Sequence, residues 1–195
     1  MRRSKSAAAE TRERIVKTAA AEFRRHGIAA TGLSELMAAA GLTHGGFYRH
    51  FRSKDQLVGE ACHTALVAGT EAIAATMGEP PSKGGLEALV NKYLSAKHRD
   101  HPENGCALAA LGSELGRAKD AAREAATDGY LRLVKVIASQ ITGLSAREAE
   151  TRAMAIAASM IGAMTVARFA ADHRISDQVL TAAKDYILNG SSSDE

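Results

Sequence analysis

Two groups of side chains in this 195-residue chain have types and spacing that could do chemistry. The first is His98-Arg99-Asp100-His101, followed by Cys106. Two imidazoles and a thiol could ligate zinc or copper. Cys106 could equally be a nucleophile helped by His98 or His101. The spacing falls beside Pro102, no fourth ligand stands near, and no third orienting residue or oxyanion device is visible. Solvated loop residues are the favoured reading, and no metal, cofactor or catalytic residue is expected. Cys106 keeps a further role. It lies near the start of the apolar run Gly105–Leu115, where a helix dipole would stabilise its thiolate and raise its reactivity. The alternative is a small residue packed at a helix start. The second group is Thr43, His44, Gly45, Gly46, Tyr48, Arg49, His50 and Lys54. Short donors, rings and cations packed this densely suit phosphates and base edges.

The elements that must position this second group can be read from spacing. Leu33, Leu36, Met37 and Ala40 recur at helical intervals, and Gly41 stops that helix. Thr31 or Gly32 begins it, with Glu35 able to reach back to the backbone at Gly32. Thr43 can N-cap the next helix, whose apolar positions are Phe47 and Phe51. Ser53 can cap a third, with Gln56 completing a capping box. Two short helices around a glycine turn have the form of a helix-turn-helix, whose second helix enters DNA. Gly45 and Gly46 each cost that helix up to about 1 kcal/mol against Ala. The cost makes sense where backbone must approach bases or phosphates closely; the alternative is that they loosen the turn. Lys54, in the first turn of the following helix, suits a phosphate by charge and by position. An earlier helix, Glu10–His26, carries the stripe Ile15, Ala19 and Phe23 that covers the pair, and Gly27 ends it.

Bulk properties agree. Residues 1–60 hold eleven Lys and Arg against six Asp and Glu, whereas the remainder holds fourteen against sixteen. A basic head on a mildly acidic body suits a polyanion partner for the head. Apolar residues make up 46% and charged residues 24%, as in a globular chain. The two cysteines, Cys62 and Cys106, imply no disulfide framework. No unbroken apolar run reaches the roughly 18 residues of a membrane helix. The basic N-terminus lacks an apolar stretch after it, so no signal peptide is expected and the cytoplasm is the default location.

Residues 1–9 read as a disordered basic arm, which could touch DNA or simply fray. After the head, helices are expected at Lys54–Thr76, Leu86–His98, Gly105–Leu115, Asp120–Ile141, 145–171 and 176–188. Loops are expected at Met77–Gly85 and Arg99–Asn104, with a disordered tail at 191–195. Ser145 and Glu148 form a capping box, and Ser176 caps the last helix. The 145–171 helix is apolar on nearly every face, which calls for burial on all sides. In a chain this small that implies a partner subunit, so it and 176–188 form the expected homodimer interface; the alternative is the core of a monomeric bundle. An apolar cavity for a small molecule is sought among Leu66, Tyr93, Cys106, Leu108, Leu111, Leu115, Tyr130 and Met154.

The stretch Ala29–Leu57 also resembles a known family. Ala39-Ala40-Gly41-Leu42-Thr43, then Phe47-Tyr48-Arg49-His50-Phe51, then Lys54 and Leu57, are similar to the DNA-binding segment of TetR/AcrR-type transcriptional regulators. The likeness covers roughly residues 10–60. It departs at Gly32, where members usually carry Ser or Thr. The resemblance implies that Tyr48, His50 and Lys54 contact the DNA backbone while Thr43 to Gly46 approach bases, and Thr31, Gly32 and Arg49 join them in the expected DNA-binding set. It also implies that relatives with Gly-Cys at 105–106 sense oxidants or electrophiles. The expected architecture is all-α: a three-helix helix-turn-helix domain at 10–56 and a helical ligand-binding and dimerisation domain at 57–190, about nine helices together. The expected function is a homodimeric, ligand-responsive repressor of a palindromic DNA operator, released by a small apolar or electrophilic molecule. An activator or architectural protein without an inducer is the competing reading, and a Cys106-dependent enzyme the more distant one.

Overall fold

The computed structural model describes residues 2–77, 80–82 and 84–190. Among these, nine α-helices and no strands occur. They are α1 (Arg2–His26), α2 (Leu33–Ala39), α3 (Lys54–Ala74), α4 (Gly85–Tyr93), α5 (Ala96–Asp100), α6 (Ala107–Leu115), α7 (Asp120–Ala138), α8 (Ala146–Phe169) and α9 (His173–Asn189). Two 3-10 turns, His44–Arg49 and Pro102–Asn104, complete the order. The all-helical expectation therefore holds. The tail at 191–195 and part of the Met77–Gly85 loop lie outside the described residues.

The helices sort into two compact units. The first joins residues 1–67 to 102–128. The expected boundary at 56/57 thus differs from the packing, which places α6 and the first half of α7 with the head. The core of this unit contains Ile15, Ala19, Phe23, Leu36, Met37, Phe47, Phe51, Leu57, Leu111 and Leu115. Arg12 lies over the Phe51 ring at 4.6 Å and pairs with Glu60 at 2.6 Å, fastening α1 to α3. The basic arm expected at 1–9 continues α1 from Arg2 onward. Ala7, Ala8 and Ala9 favour helix, and nothing there interrupts it. Gly27 ends α1 at φ +87°, the left-handed conformation that glycine alone takes cheaply.

The second unit comprises the described residues of 68–101 and 129–195. Leu89, Val90, Tyr93, Leu133, Val134, Ile137, Met160, Met164 and Leu180 form its interior. Ser145 and Glu148 make the expected reciprocal capping box at the start of α8. Three of its boundaries differ from the sequence reading by three residues or more. The helix expected over Leu86–His98 breaks at Leu94–Ser95, because the Ser95 hydroxyl donates to the Lys92 carbonyl (2.8 Å) and accepts the His98 N–H (3.2 Å), which caps α5. The last helix starts at His173, capped by Asp172, whose Oδ1 accepts from the Arg174 N–H. Ser176 is instead buried, donating to the Ala167 carbonyl at 2.6 Å and accepting from Arg99 at 2.9 Å. Finally, α7 stops at Ala138, ahead of Gly143 at φ +80°.

By length and composition α8 could cross a membrane, although charged residues interrupt its apolar run. Its buried stripe is Ala149, Ala153, Ile156, Ala157, Met160, Met164 and Ala167. The opposite side leaves Met154 and Phe169 exposed, at 37% and 71%, and α9 adds Ile175 and Tyr186, at 49% and 77%. The helix expected to be buried all round is thus covered on one face within the chain.

Candidate nucleic-acid interface

The site is built from α2, the turn after it and the 3-10 turn His44–Arg49. Gly32 is the N-cap of α2, extended at φ −73° and ψ 146°, without a side-chain cap. Leu36 and Met37 face the core and fix the roll of the helix. Gly41, at φ +71°, reverses the chain, and the Leu42 N–H donates back to the Met37 carbonyl at 2.8 Å. This is the stop that Gly41 predicts.

Thr43 occupies the N-cap of the next element, but its side chain makes no capping bond. That element is a six-residue 3-10 turn in place of the expected α-helix. Two adjacent glycines and so short a length favour the tighter winding. The Gly46 N–H donates to the Thr43 carbonyl (3.0 Å) and the His50 N–H to the Phe47 carbonyl (2.9 Å). Phe47 and Phe51 are buried and stack with centroids 5.5 Å apart, anchoring the segment to the core. Around this anchor Thr43, His44, Gly45, Tyr48 and Arg49 are exposed, while Gly46 and His50 are half-buried. Tyr48 is 65% exposed, its ring edge-on to Phe47 and to His44. His44 also shares a hydrogen bond with the exposed Ser34 hydroxyl (3.1 Å), a neighbour the sequence reading overlooked. The chain thus gathers a hydroxyl, two imidazoles, a phenol, a guanidinium and two bare backbone positions on one short segment.

Two expected contact residues are turned inward. Thr31 is buried, and its hydroxyl donates to the Gly27 carbonyl at 2.7 Å. The Lys54 ammonium donates to the carbonyls of Ile28 (2.6 Å) and Thr31 (2.7 Å) and lies 6.0 Å from the Phe23 ring centroid. Those carbonyls are unmet acceptors at a helix-to-helix turn, and a nearby ammonium satisfies them more strongly than a neutral donor could. Lys54 is therefore a tie inside the unit in this structure and not an outstretched phosphate ligand. The capping box expected from Ser53 and Gln56 is displaced by one residue. The Gln56 N–H does donate to Ser53 Oγ, but Gln56 Oε1 accepts from the Arg52 N–H.

The residues expected around an apolar cavity are distributed differently. Leu66, Leu111 and Leu115 are buried in the core of the first unit, with Leu108 packed against it. Tyr93 is buried in the second unit, its ring edge-on to His98 at 4.6 Å. Met154 is exposed on α8, and its carbonyl accepts from the Tyr130 hydroxyl at 3.0 Å. Periodicity marks such residues as apolar without separating a core from a cavity wall. None of them lines either described recess: one of about 370 Å³ beside Ala29, Glu114 and Arg117, and one of about 580 Å³ beside Ser82, Gln140 and Leu188.

His98 is not a solvated loop residue. It is half-buried in α5, its Nδ1 donates to the Tyr93 carbonyl at 2.6 Å, and burial pushes its pKa below the ordinary imidazole range. Cys106 is the half-buried N-cap of α6, without a side-chain cap bond. Cys62 is buried, and that burial pushes its thiol up to about 11. Among the described residues no cluster of three His, Cys, Asp or Glu is placed to hold a metal.

The family model for bacterial regulatory proteins of the tetR family matches residues 15–61. The model for the C-terminal domain of LmrA/YxaF-like transcriptional regulators matches residues 83–182. Among curated proteins, a probable acrEF/envCD operon repressor of Escherichia coli K12 is 41% identical over 59 residues, 30% of this chain and 27% of that one. An uncharacterized HTH-type transcriptional regulator of Mycobacterium tuberculosis is 35% identical over 118 residues, 58% of each chain. The chain thus spans about a quarter of the first of these relatives and somewhat over half of the second. Among solved structures, a TetR transcriptional regulator from Chloroflexus aurantiacus superposes with a TM-score of 0.75 at 28% identity, over 96% of both chains. The reduced form of NemR from E. coli gives 0.74 at 20% identity, over 92% of this chain and 96% of that one, a likeness of fold.

Proposed function

Because the chain belongs to the TetR family of bacterial regulatory proteins, we propose that this transcriptional regulator is a homodimeric repressor that binds a palindromic double-stranded DNA operator and is released by a small apolar or electrophilic molecule. The observation that carries the DNA reading is the exposed segment Thr43–Arg49 held on the buried Phe47 and Phe51. In this reading Thr43 and His44 meet base edges, and Gly45 and Gly46 let the backbone approach. Tyr48, Arg49 and His50 take phosphates. Gly32 offers the α2 N-terminus to a phosphate as well. Thr31 and Lys54 support the surface from behind.

Repression is supported by the E. coli relative, a probable operon repressor. Dimerisation is supported by the exposed Met154, Phe169, Ile175 and Tyr186 of α8 and α9, an apolar set that a second copy would cover. Two heads at fixed separation then read a two-fold DNA site. The electrophile branch rests on Cys106, half-buried at the start of α6. The effector would bias the direction of α3, the long helix that leaves the head, by favouring the non-binding state by a few kcal/mol. This work is done in the cytoplasm, where the DNA is. The test is selection from a random duplex library by the full chain, followed by sizing of the complex. Enrichment of an inverted repeat bound by two chains is expected. No enriched sequence, or a single chain on an asymmetric site, would sink the reading.

A further inference from the structure

Side chains from two other helices hold the turn between α1 and α2. Glu114, in α6, accepts from the Ile28 N–H through Oε2 at 3.0 Å and from the Ala29 N–H through Oε1 at 2.8 Å. Lys54, in α3, donates to the Ile28 carbonyl at 2.6 Å and the Thr31 carbonyl at 2.7 Å. Ile28 is therefore held at both its amide and its carbonyl, by side chains of opposite charge. Gly27 admits the carboxylate: a Cβ there would stand 3.0 Å from Glu114 Oε2, on a backbone already at φ +87°. Ahead of α6 a second tie exists, since Arg24 of α1 donates through Nε (2.9 Å) and Nη2 to the Glu103 carbonyl. Neither α6 nor Glu114 belongs to the exposed segment Thr43–Arg49, yet this carboxylate sets the turn from which α2 begins.

We propose that Glu114 is a positioning residue that lets α6 control the DNA-reading surface, a role that rests on the DNA-binding reading above. Both N–H bonds exist only while the C-terminal turn of α6 stays in place. A displacement on the order of 1 Å takes both beyond hydrogen-bond length and leaves Ile28 with a side-chain bond at its carbonyl alone. Any event that moves α6 is then felt at the start of α2 as the loss of a bidentate, charge-assisted contact. Glutamine at 114 keeps the size but faces one N–H donor with another, so it retains at most one of the two bonds.

The experiment uses the full chain with Glu114→Gln, Lys54→Met and the double variant. The DNA probe is a duplex selected by the wild type from a random library. Amide exchange at Ile28 and Ala29, read without DNA, should accelerate at least tenfold in Glu114→Gln while exchange within α8 stays unchanged. Affinity for the selected duplex should fall about tenfold with the salt slope unchanged, since no phosphate contact is lost. Lys54→Met should do the same, and the double variant should be far from additive because both residues hold one turn. Unchanged exchange at Ile28 and Ala29 in Glu114→Gln overturns the proposal. So does faster exchange with wild-type affinity, or a shallower salt slope in that variant. A wild-type chain that selects no duplex overturns the DNA-binding reading alone, and the exchange result still decides the clamp.

Discussion

Gly45 separates two explanations for the glycine pair in the recognition segment. If the pair loosens the turn, the protein itself needs it; if the pair lets DNA approach, only the complex does. A Cβ built on Gly45 meets nothing within 4 Å, and its φ is not positive. Gly45→Ala should therefore stabilise the free chain by about 0.4–1 kcal/mol, by restricting the unfolded state. For a chain of this length that is a rise of roughly 1–4 °C in Tm. The same methyl group would occupy the space a phosphate or base edge needs, and a tenfold loss of affinity corresponds to about 1.4 kcal/mol. Gly41→Ala is the control, since at φ +71° an added Cβ costs about 1–2 kcal/mol and should lower Tm by roughly 2–8 °C. Calorimetry of the free proteins and fluorescence anisotropy on a selected duplex read the two effects separately. Full DNA affinity in Gly45→Ala, or a lowered Tm, would refute the reasoning.

Three further outcomes follow from the structure. Phe169→Glu with Tyr186→Glu should convert the protein to a monomer by light scattering and weaken DNA binding at least tenfold, because both exposed rings lie on the α8–α9 surface that a second copy would cover; a variant that stays dimeric would place the interface elsewhere. The His98 imidazole is held below its ordinary value of 6.5, first by burial, with Arg168 adding to the lowering and the Tyr93 carbonyl opposing it. The fold therefore favours the neutral ring, and the stability this brings is present above pH 6.5 and lost as pH falls below it, as the unfolded chain takes up the proton first. Thermal unfolding should show that decline, and a variant His98→Asn should flatten it. With its thiol near 11, Cys62 holds on the order of 0.03% thiolate at pH 7.5. Iodoacetamide should label Cys106 well before Cys62, and Cys106 alkylation should release DNA; equal labelling rates, checked by peptide mass, would contradict the burial argument.

The head was legible because its signals are local. Gly27 and Gly41 stop helices at positive φ, and Phe47 and Phe51 recur at a spacing that can only face inward. The two expected contacts that this structure turns inward share one cause. Lys54 and Thr31 look outward to a reading that knows only helix starts and charge, whereas their partners are the carbonyls of a turn 23 and 4 residues away. Ser95 was hidden inside an apolar pattern that continues through Leu94, although its hydroxyl caps a new helix. Glu114 carries no local signal at all, since its partners lie 85 and 86 residues upstream.

The same distance effect explains the domain boundary. The likeness to a DNA-binding segment ends at Leu57, but α3 runs through that point without a break, from Lys54 to Ala74. The unit then recruits residues 102–128, because Leu111 and Leu115 complete the core that Phe23 and Leu36 begin. A three-helix head with so few apolar side chains buries too little surface to hold itself, and α6 supplies the missing layer. That recruitment carries a functional consequence. A helix that the head needs for its own core cannot move without disturbing the head, and Glu114 places that disturbance at the turn before α2. Packing and the proposed control of the head therefore fall on the same nine-residue helix.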